Sequence, residues 1–260
     1  MLESIFNAFR HWDLISSFAR RDIKARYKQT ALGVAWSLLQ PLSMMIVFTL
    51  VFSLFAKVPS DGLPYPVFAY SALIFWMFFS NTISGGTMAM TSNGILIRKI
   101  YFPRETLLTS VVVAGCLDLA IACLLFGGML LYYKIAITAA VVWVIPLVAL
   151  QIVLGLGVTS LTAAAHVNFR DIGHALPLML QLWMFASPVG YPISVIPDWL
   201  RPFYMLNPMA AIIDGYRRAV LLGQAPDLGA LAVSVVITLA IAVIAFPVFK
   251  RAERTFADVI

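Results

Sequence analysis

Five basic residues in nine positions, Arg20, Arg21, Lys24, Arg26 and Lys28, stand just ahead of a long apolar run that starts near Gly33. Guanidinium and ammonium groups at this density can hold phosphate oxygens through charge-assisted hydrogen bonds. The bland alternative is a topology signal resting on anionic lipid, at about 1 kcal/mol per charge. Lipid attraction accounts for the sign of the cluster but not for its density, so both uses stand. Asp118 is the one acidic residue deep in an apolar span, and the spans offer it no basic partner. At a cost of roughly 2.5–3.5 kcal/mol it must face protein or water. A helix–helix hydrogen bond is the simpler reading, a proton-coupling carboxylate the sharper one. His166 and His174 lie eight positions apart with no third ligand nearby, so no metal site is expected and both read as parts of a solvated turn.

The segment Thr91–Glu105 carries Ile95, Ile97, Tyr101 and Phe102 among Arg98, Lys99 and Arg104. Ser92 or Asn93 is placed to cap a short helix through Arg98–Ile100, which Pro103 limits. Apolar side chains on so short a loop need cover, either from the membrane interface, with snorkelling cations, or from a partner protein.

Composition sets the elements that hold these residues. The 260-residue chain is 62% hydrophobic and 12% charged, whereas soluble domains average about 45–50% apolar and roughly 25% charged. A water-soluble fold could not cover so much apolar surface, so the solvent is lipid. The net charge of +6 then marks cytoplasmic flanks and anionic headgroups rather than nucleic acid. Cys116 and Cys123, on one helix, are about 10 Å apart and cannot bridge. No cleavable leader is expected, because the first thirty residues are polar and charged.

Crossing the hydrocarbon takes about 20 apolar residues. Six stretches qualify: Gly33–Ala56, Tyr65–Thr87, Thr106–Tyr133, Thr138–Ala165, Ala175–Ile196 and Leu228–Phe249. With the N-terminus in the cytoplasm, thirteen of the 18 Lys and Arg residues fall inside; Lys57, Lys134, Arg201, Arg217 and Arg218 fall outside. That is a positive-inside split, and an even number of spans returns Lys250–Ile260 to the cytoplasm. Leu2, Ile5, Phe6, Phe9 and Trp12 repeat at helical spacing, predicting an amphipathic helix on the interface or on protein, and Asp13 is placed to cap a second one. Pro188, Pro192, Pro197, Pro202 and Pro208 break the stretch before the last span. They predict two short helices, near Asp198–Met205 and Pro208–Leu222, dipping into the outer leaflet. The expected fold is an all-α membrane protein with three parts. Residues 1–32 form the cytoplasmic interfacial segment and 250–260 a cytoplasmic tail. Residues 33–249 form six transmembrane helices with short re-entrant extracytoplasmic helices between spans 5 and 6.

Four segments in order, RRDIKARYKQTALGVAWSLLQPL, NGILIRKIYFPRE, NPMAAIIDGYR and FKRAERTFADVI, give the chain a resemblance to ABC-2 type permeases. More narrowly, it resembles the membrane subunits that export lipid-linked polysaccharide such as O-antigen and teichoic acid. The resemblance implies a homodimer in the bacterial plasma (inner) membrane, joined by two copies of an ABC ATP-binding subunit. ATP and Mg would sit on that subunit, which fits the lack of any G-x-x-x-x-G-K-[ST] segment in this chain. No catalytic residue is implied. The cargo would be a glycan on undecaprenyl diphosphate, leaving the cytoplasm.

In such permeases the loop at Thr91–Glu105 is a coupling helix that docks on the ATPase. Ile97, Arg98, Lys99, Tyr101, Phe102 and Arg104 would then make that contact, beside Arg170 and Asp171 of the next loop, which could instead pair with each other. Arg21, Lys24, Arg26 and Lys28 become the candidate holders of the diphosphate at a cytoplasmic entrance. Trp183, Phe185, Tyr191, Trp199, Phe203 and Tyr204 become candidates for a channel or outer gate. Teichoic acid, a capsular polymer, or a small lipid or drug are alternative cargoes. The rival class is an intramembrane polyprenyl-lipid transferase, which would need converging acids, histidines or a metal that this pattern does not assemble.

Overall fold

The computed structural model describes residues 11–28, 30 and 32–259; the expected stripe of Leu2, Ile5, Phe6 and Phe9 lies outside them. Among the described residues every regular element is helical. Helix α1 (Trp12–Tyr27) has His11 at its cap position, and Asp13 falls instead in the first turn, where its charge favours the N-terminal end of the helix dipole. Ile15, Phe18 and Ala19 form its buried stripe. A turn through Gly33 leads to α2 (Trp36–Phe48), which continues as a π-helical stretch, Thr49–Phe55. Then come α3 (Tyr65–Ser92), the short α4 (Gly94–Lys99) and α5 (Glu105–Tyr132). A 3₁₀ turn at Ala139–Trp143 opens α6 (Val144–Asn168). Helix α7 (Asp171–Phe185), the single turn α8 (Arg201–Tyr204), α9 (Pro208–Val220), α10 (Leu228–Ala252) and the turn α11 (Phe256–Val259) complete the chain.

Among the described residues, five helical stretches are long and apolar enough to cross a membrane: Trp36–Phe55, Tyr65–Ser92, Glu105–Tyr132, Ala139–Asn168 and Leu228–Thr255. The other stretch expected to span, Ala175–Ile196, is built differently. Its helix α7 stops at Phe185, about 22 Å long at 1.5 Å per residue, against roughly 30 Å of hydrocarbon. Pro188 and Pro192 follow, and neither can continue a helix. Even so, Gly173 lies against Met88 near one end of α3, and Tyr65 at the other end donates to the Gly190 carbonyl at 2.7 Å. Residues 171–190 therefore run the length of α3, part helix and part turn.

Helix α3 is the hub. Its most apolar window is 78% buried, against 11% for the first span, so α2 is left for lipid or another chain. Small residues permit the close approaches: Gly86 faces Thr159, and Gly157 brings α6 onto the α10 backbone at Ala242. Several polar groups inside the bundle satisfy one another, whereas the hydroxyls of Thr82, Thr159 and Thr238 are buried without a partner. Gln151 donates to the Phe75 carbonyl at 2.6 Å, and the Tyr216 hydroxyl donates to Gln151 at 2.8 Å. The Tyr216 ring stacks on Phe75, centroids 3.5 Å apart.

Helix α9 climbs through the bundle. At its foot the Asn207 amide caps it by accepting from the Met209 N–H at 3.1 Å and accepts from the Trp183 indole at 2.9 Å. Near its top Arg217 reaches Phe68, close to the Tyr65 end of α3. The opposite end of the bundle gathers α1, α4 and α11. There Phe18 meets Phe102, centroids 5.7 Å apart, and Phe249 meets Phe256 at 5.6 Å. Lys250 bridges Glu105 (2.7 Å) and Glu253 (2.9 Å), tying α5 to α10.

Candidate functional site

The basic cluster is divided by the fold. Helix α1 lies along α5, so Arg26 and Tyr27 arrive halfway up that helix, at Asp118. Arg26 Nη1 donates to one carboxylate oxygen and the Tyr27 hydroxyl to the other. Asp118 is thus not a solitary acid. Its basic partner comes from the helix that precedes the spans, where a count of charges within spans does not look. Burial first, and then the Asp118 carboxylate, push the Tyr27 phenol above its ordinary pKa, so it remains a donor. Arg26 is in turn no free anion holder. Arg21 pairs with its neighbour Asp22 at 3.0 Å, while Lys24 and Lys28 are exposed.

Beside the Arg26–Asp118 pair, α2, α3 and α5 enclose a recess of about 510 Å³. Trp36, Gln40, Asn81 and Ser84 line it together with the pair. Gln40 falls near the end of the first segment that carries the resemblance but was given no role there, and Asn81 belonged to no motif. Gln40 was one polar letter in an apolar run and Asn81 stood between Ser80 and Thr82, and only the packing of the helices brings them together.

At the α4 end, the loop expected to dock a partner is half used up internally. Ile97 is 3% and Phe102 7% exposed, covered by α1 and α11 of the same chain. Arg104 donates to the Glu253 carbonyl at 2.8 Å. These three therefore brace the loop from inside. The outward face keeps Ile95, Arg98, Lys99, Ile100 and Tyr101, the last 93% exposed. Asn93 sits at the cap position of α4, but its side chain turns back to the Ala89 carbonyl at 2.8 Å. In the next loop Phe169, Arg170 and Asp171 are exposed, with no ion pair between Arg170 and Asp171 among the described residues. His174 is exposed as expected, whereas His166 is buried because α6 extends through it to Asn168. Among the described residues no cluster of His, Cys, Asp or Glu could hold a metal ion.

Toward the Tyr65 end, Trp183, Phe203 and Tyr204 line a second recess of about 490 Å³. Tyr204 donates to the Tyr191 hydroxyl at 3.1 Å, and Tyr191 to the Phe185 carbonyl at 2.7 Å. The rings of Phe185 and Trp199 stay outside this lining, and Trp199 is exposed. Arg217, counted as an outside charge and standing at the end of the segment NPMAAIIDGYR, is buried and holds the loop behind these aromatics. It donates to the carbonyls of Pro188, Val189 (2.6 Å), Tyr191 (3.1 Å) and Phe68 (3.4 Å), and stacks over the Phe68 ring at 3.6 Å.

Residues 13–221 match the family model described as ABC-2 type transporter. The chain belongs to the ABC-2 type transporter family. This ABC-2 chain is 30% identical over 261 residues to the O-antigen export system permease protein RfbA of Myxococcus xanthus, with 99% of each chain covered. It is 27% identical over 207 residues to a protein of the same name from Klebsiella pneumoniae, 79% of each chain covered. The polysialic acid transport protein KpsM of Escherichia coli is 23% identical over 244 residues, covering 90% of this chain and 93% of its own. The family match spans α1 to α9 of the ABC-2 fold. The brace formed by Glu253 and Phe256 lies beyond that match, within the terminal segment FKRAERTFADVI.

Proposed function

We propose that this ABC-2 protein is the membrane subunit of an ATP-driven exporter of lipid-linked polysaccharide. The observation that carries this reading is its end-to-end likeness, at 30% identity, to a protein named for O-antigen export. The α4 end then faces the cytoplasm of a bacterium, with both the start and the end of the chain on that side of the plasma membrane. Two copies of this chain pair with two ATP-binding subunits, which hold ATP and Mg. The cargo is a glycan on undecaprenyl diphosphate. Likeness to the polysialic acid transport protein favours a second reading, a capsular polymer as cargo. Deleting the gene and assaying the polymer decides: polymer retained inside on its lipid carrier supports the proposal, and normal export removes it.

The outward face of α4 is the contact for the ATP-binding subunit in this reading. Tyr101→Ala is expected to reduce co-purification of that subunit and leave thermal stability unchanged, because the ring touches little of its own chain. Phe102→Ala should do the reverse, costing about 3–5 kcal/mol of stability, as aromatic truncations in cores do. Equal effects of the two on pairing would sink the division of the loop into an inner and an outer face.

The diphosphate is held at the exposed Lys24 and Lys28, with Arg21 alongside. Lys24→Gln with Lys28→Gln removes about 1 kcal/mol of phosphate attraction per charge, about 2 kcal/mol in all, so export should fall roughly thirtyfold while membrane insertion is intact. Undiminished export by the double variant would show that these lysines only set topology.

A further inference from the structure

Gln40 and Asn81 present primary amides to the recess between α2, α3 and α5, and neither makes a hydrogen bond to protein among the described residues. Both side chains are exposed on this chain, and lipid tails cannot satisfy an amide, so water or a polar ligand in the recess must. The charges around it cancel, because Arg26 is paired to Asp118. A bare anion is therefore not what the site selects. Trp36, one turn before Gln40 on α2, offers a half-exposed indole, 52% accessible, and Ser84 adds a hydroxyl. Paired amides that both donate and accept match the hydroxyls of a neutral polyol, and an indole face matches the apolar face of a sugar ring. The volume of about 510 Å³ lies in the range of small-ligand pockets, about 300–1,000 Å³, enough for a head group and too small for a polymer.

We infer that this recess holds a neutral sugar of the lipid-linked cargo, its ring on Trp36 and its hydroxyls on Gln40 and Asn81. The inference rests on the exporter reading and divides the head group: sugar in the recess, diphosphate outside it on Lys24 and Lys28.

The test uses the full chain in nanodiscs and two probes, a short-chain polyprenyl diphosphate carrying one hexose and the same carrier without sugar. The wild type should prefer the sugar-bearing probe by about tenfold, the order given by one or two hydrogen bonds exchanged with water in an open recess. Asn81→Leu and Gln40→Leu should erase the preference and leave affinity for the bare carrier unchanged. Trp36→Leu gives a second route to the same result if an amide variant fails to assemble, which size-exclusion and thermal unfolding report. Equal binding of both probes by the wild type overturns the inference. So does a preference that survives the variants, or displacement of the sugar-bearing probe by phosphatidylglycerol as readily as by itself, which would make the recess an ordinary lipid groove. Normal export in a deletion strain would remove the exporter reading itself. If deletion blocks export while Asn81→Leu binds and exports like wild type, only the sugar site falls.

Discussion

Arg217→Met depletes the folded protein from the membrane, and Arg217→Lys does not restore it. The guanidinium is the common donor to four carbonyls, from Phe68 on α3 and from Pro188, Val189 and Tyr191 in the turn that completes the fifth traverse. A proline-rich turn has no helical ladder to occupy those oxygens, and a buried acceptor left alone costs about 1–3 kcal/mol. Losing the donor to several of them costs roughly 3 kcal/mol or more, a large part of the 5–15 kcal/mol that typically holds a fold. Lysine is no substitute, because a single ammonium cannot reach four carbonyls spread around a planar fork, nor stack flat on Phe68. Thermal unfolding of the purified variants, with the membrane yield, is the measurement. A wild-type melting temperature for Arg217→Lys would show that charge alone suffices there.

The second large effect is expected at Asp118. Asp118→Leu leaves the Arg26 guanidinium and the Tyr27 hydroxyl without their acceptor halfway along a span, where an unpaired basic group costs about 2.5–3.5 kcal/mol. Arg26→Leu strands the carboxylate instead. The double variant should be less damaged than the sum of the singles, since neither charge is then left over. Arg26 keeps 43% of its side chain accessible through the recess, so the coupling should be about 1 kcal/mol rather than several. Strictly additive melting shifts in this cycle would mean that the two residues stabilise the protein independently. Because the pair also closes one side of the recess, both single variants should lose export more steeply than they lose stability.

Much of the architecture was legible from hydrophobic run length, because lipid permits few alternatives to an apolar helix. The interior of the bundle was not. Helices such as α3 and α5 are apolar all round, so no periodicity distinguishes the face that meets protein from the face that meets lipid. Asn81, Gln40 and Gln151 therefore carried no visible direction. Arg217 looked like one more cation in the last turn of a helix, where the dipole alone would justify it; only the carbonyls of a turn 26 to 29 residues earlier reveal its use. A better clue was present at Asp118. An acid that expensive implies a donor, and Arg26 and Tyr27 stand at the end of the nearest basic helix. The fifth traverse was misjudged in form because its apolar composition continues past Pro188, where the helix geometry does not.

The apolar cluster at the α4 end draws on Phe18, Ile97, Phe102, Phe249 and Phe256. Phe18 leaves the ribosome long before Phe256, so the cluster cannot close until translation has passed the sixth apolar stretch. Until then the inner side chains of the α4 loop, Ile97 and Phe102, lack their cover and remain open to chaperones and proteases. Assembly with any cytoplasmic partner is thereby timed by synthesis: a chain arrested midway displays a loose loop, and a finished one displays a rigid platform.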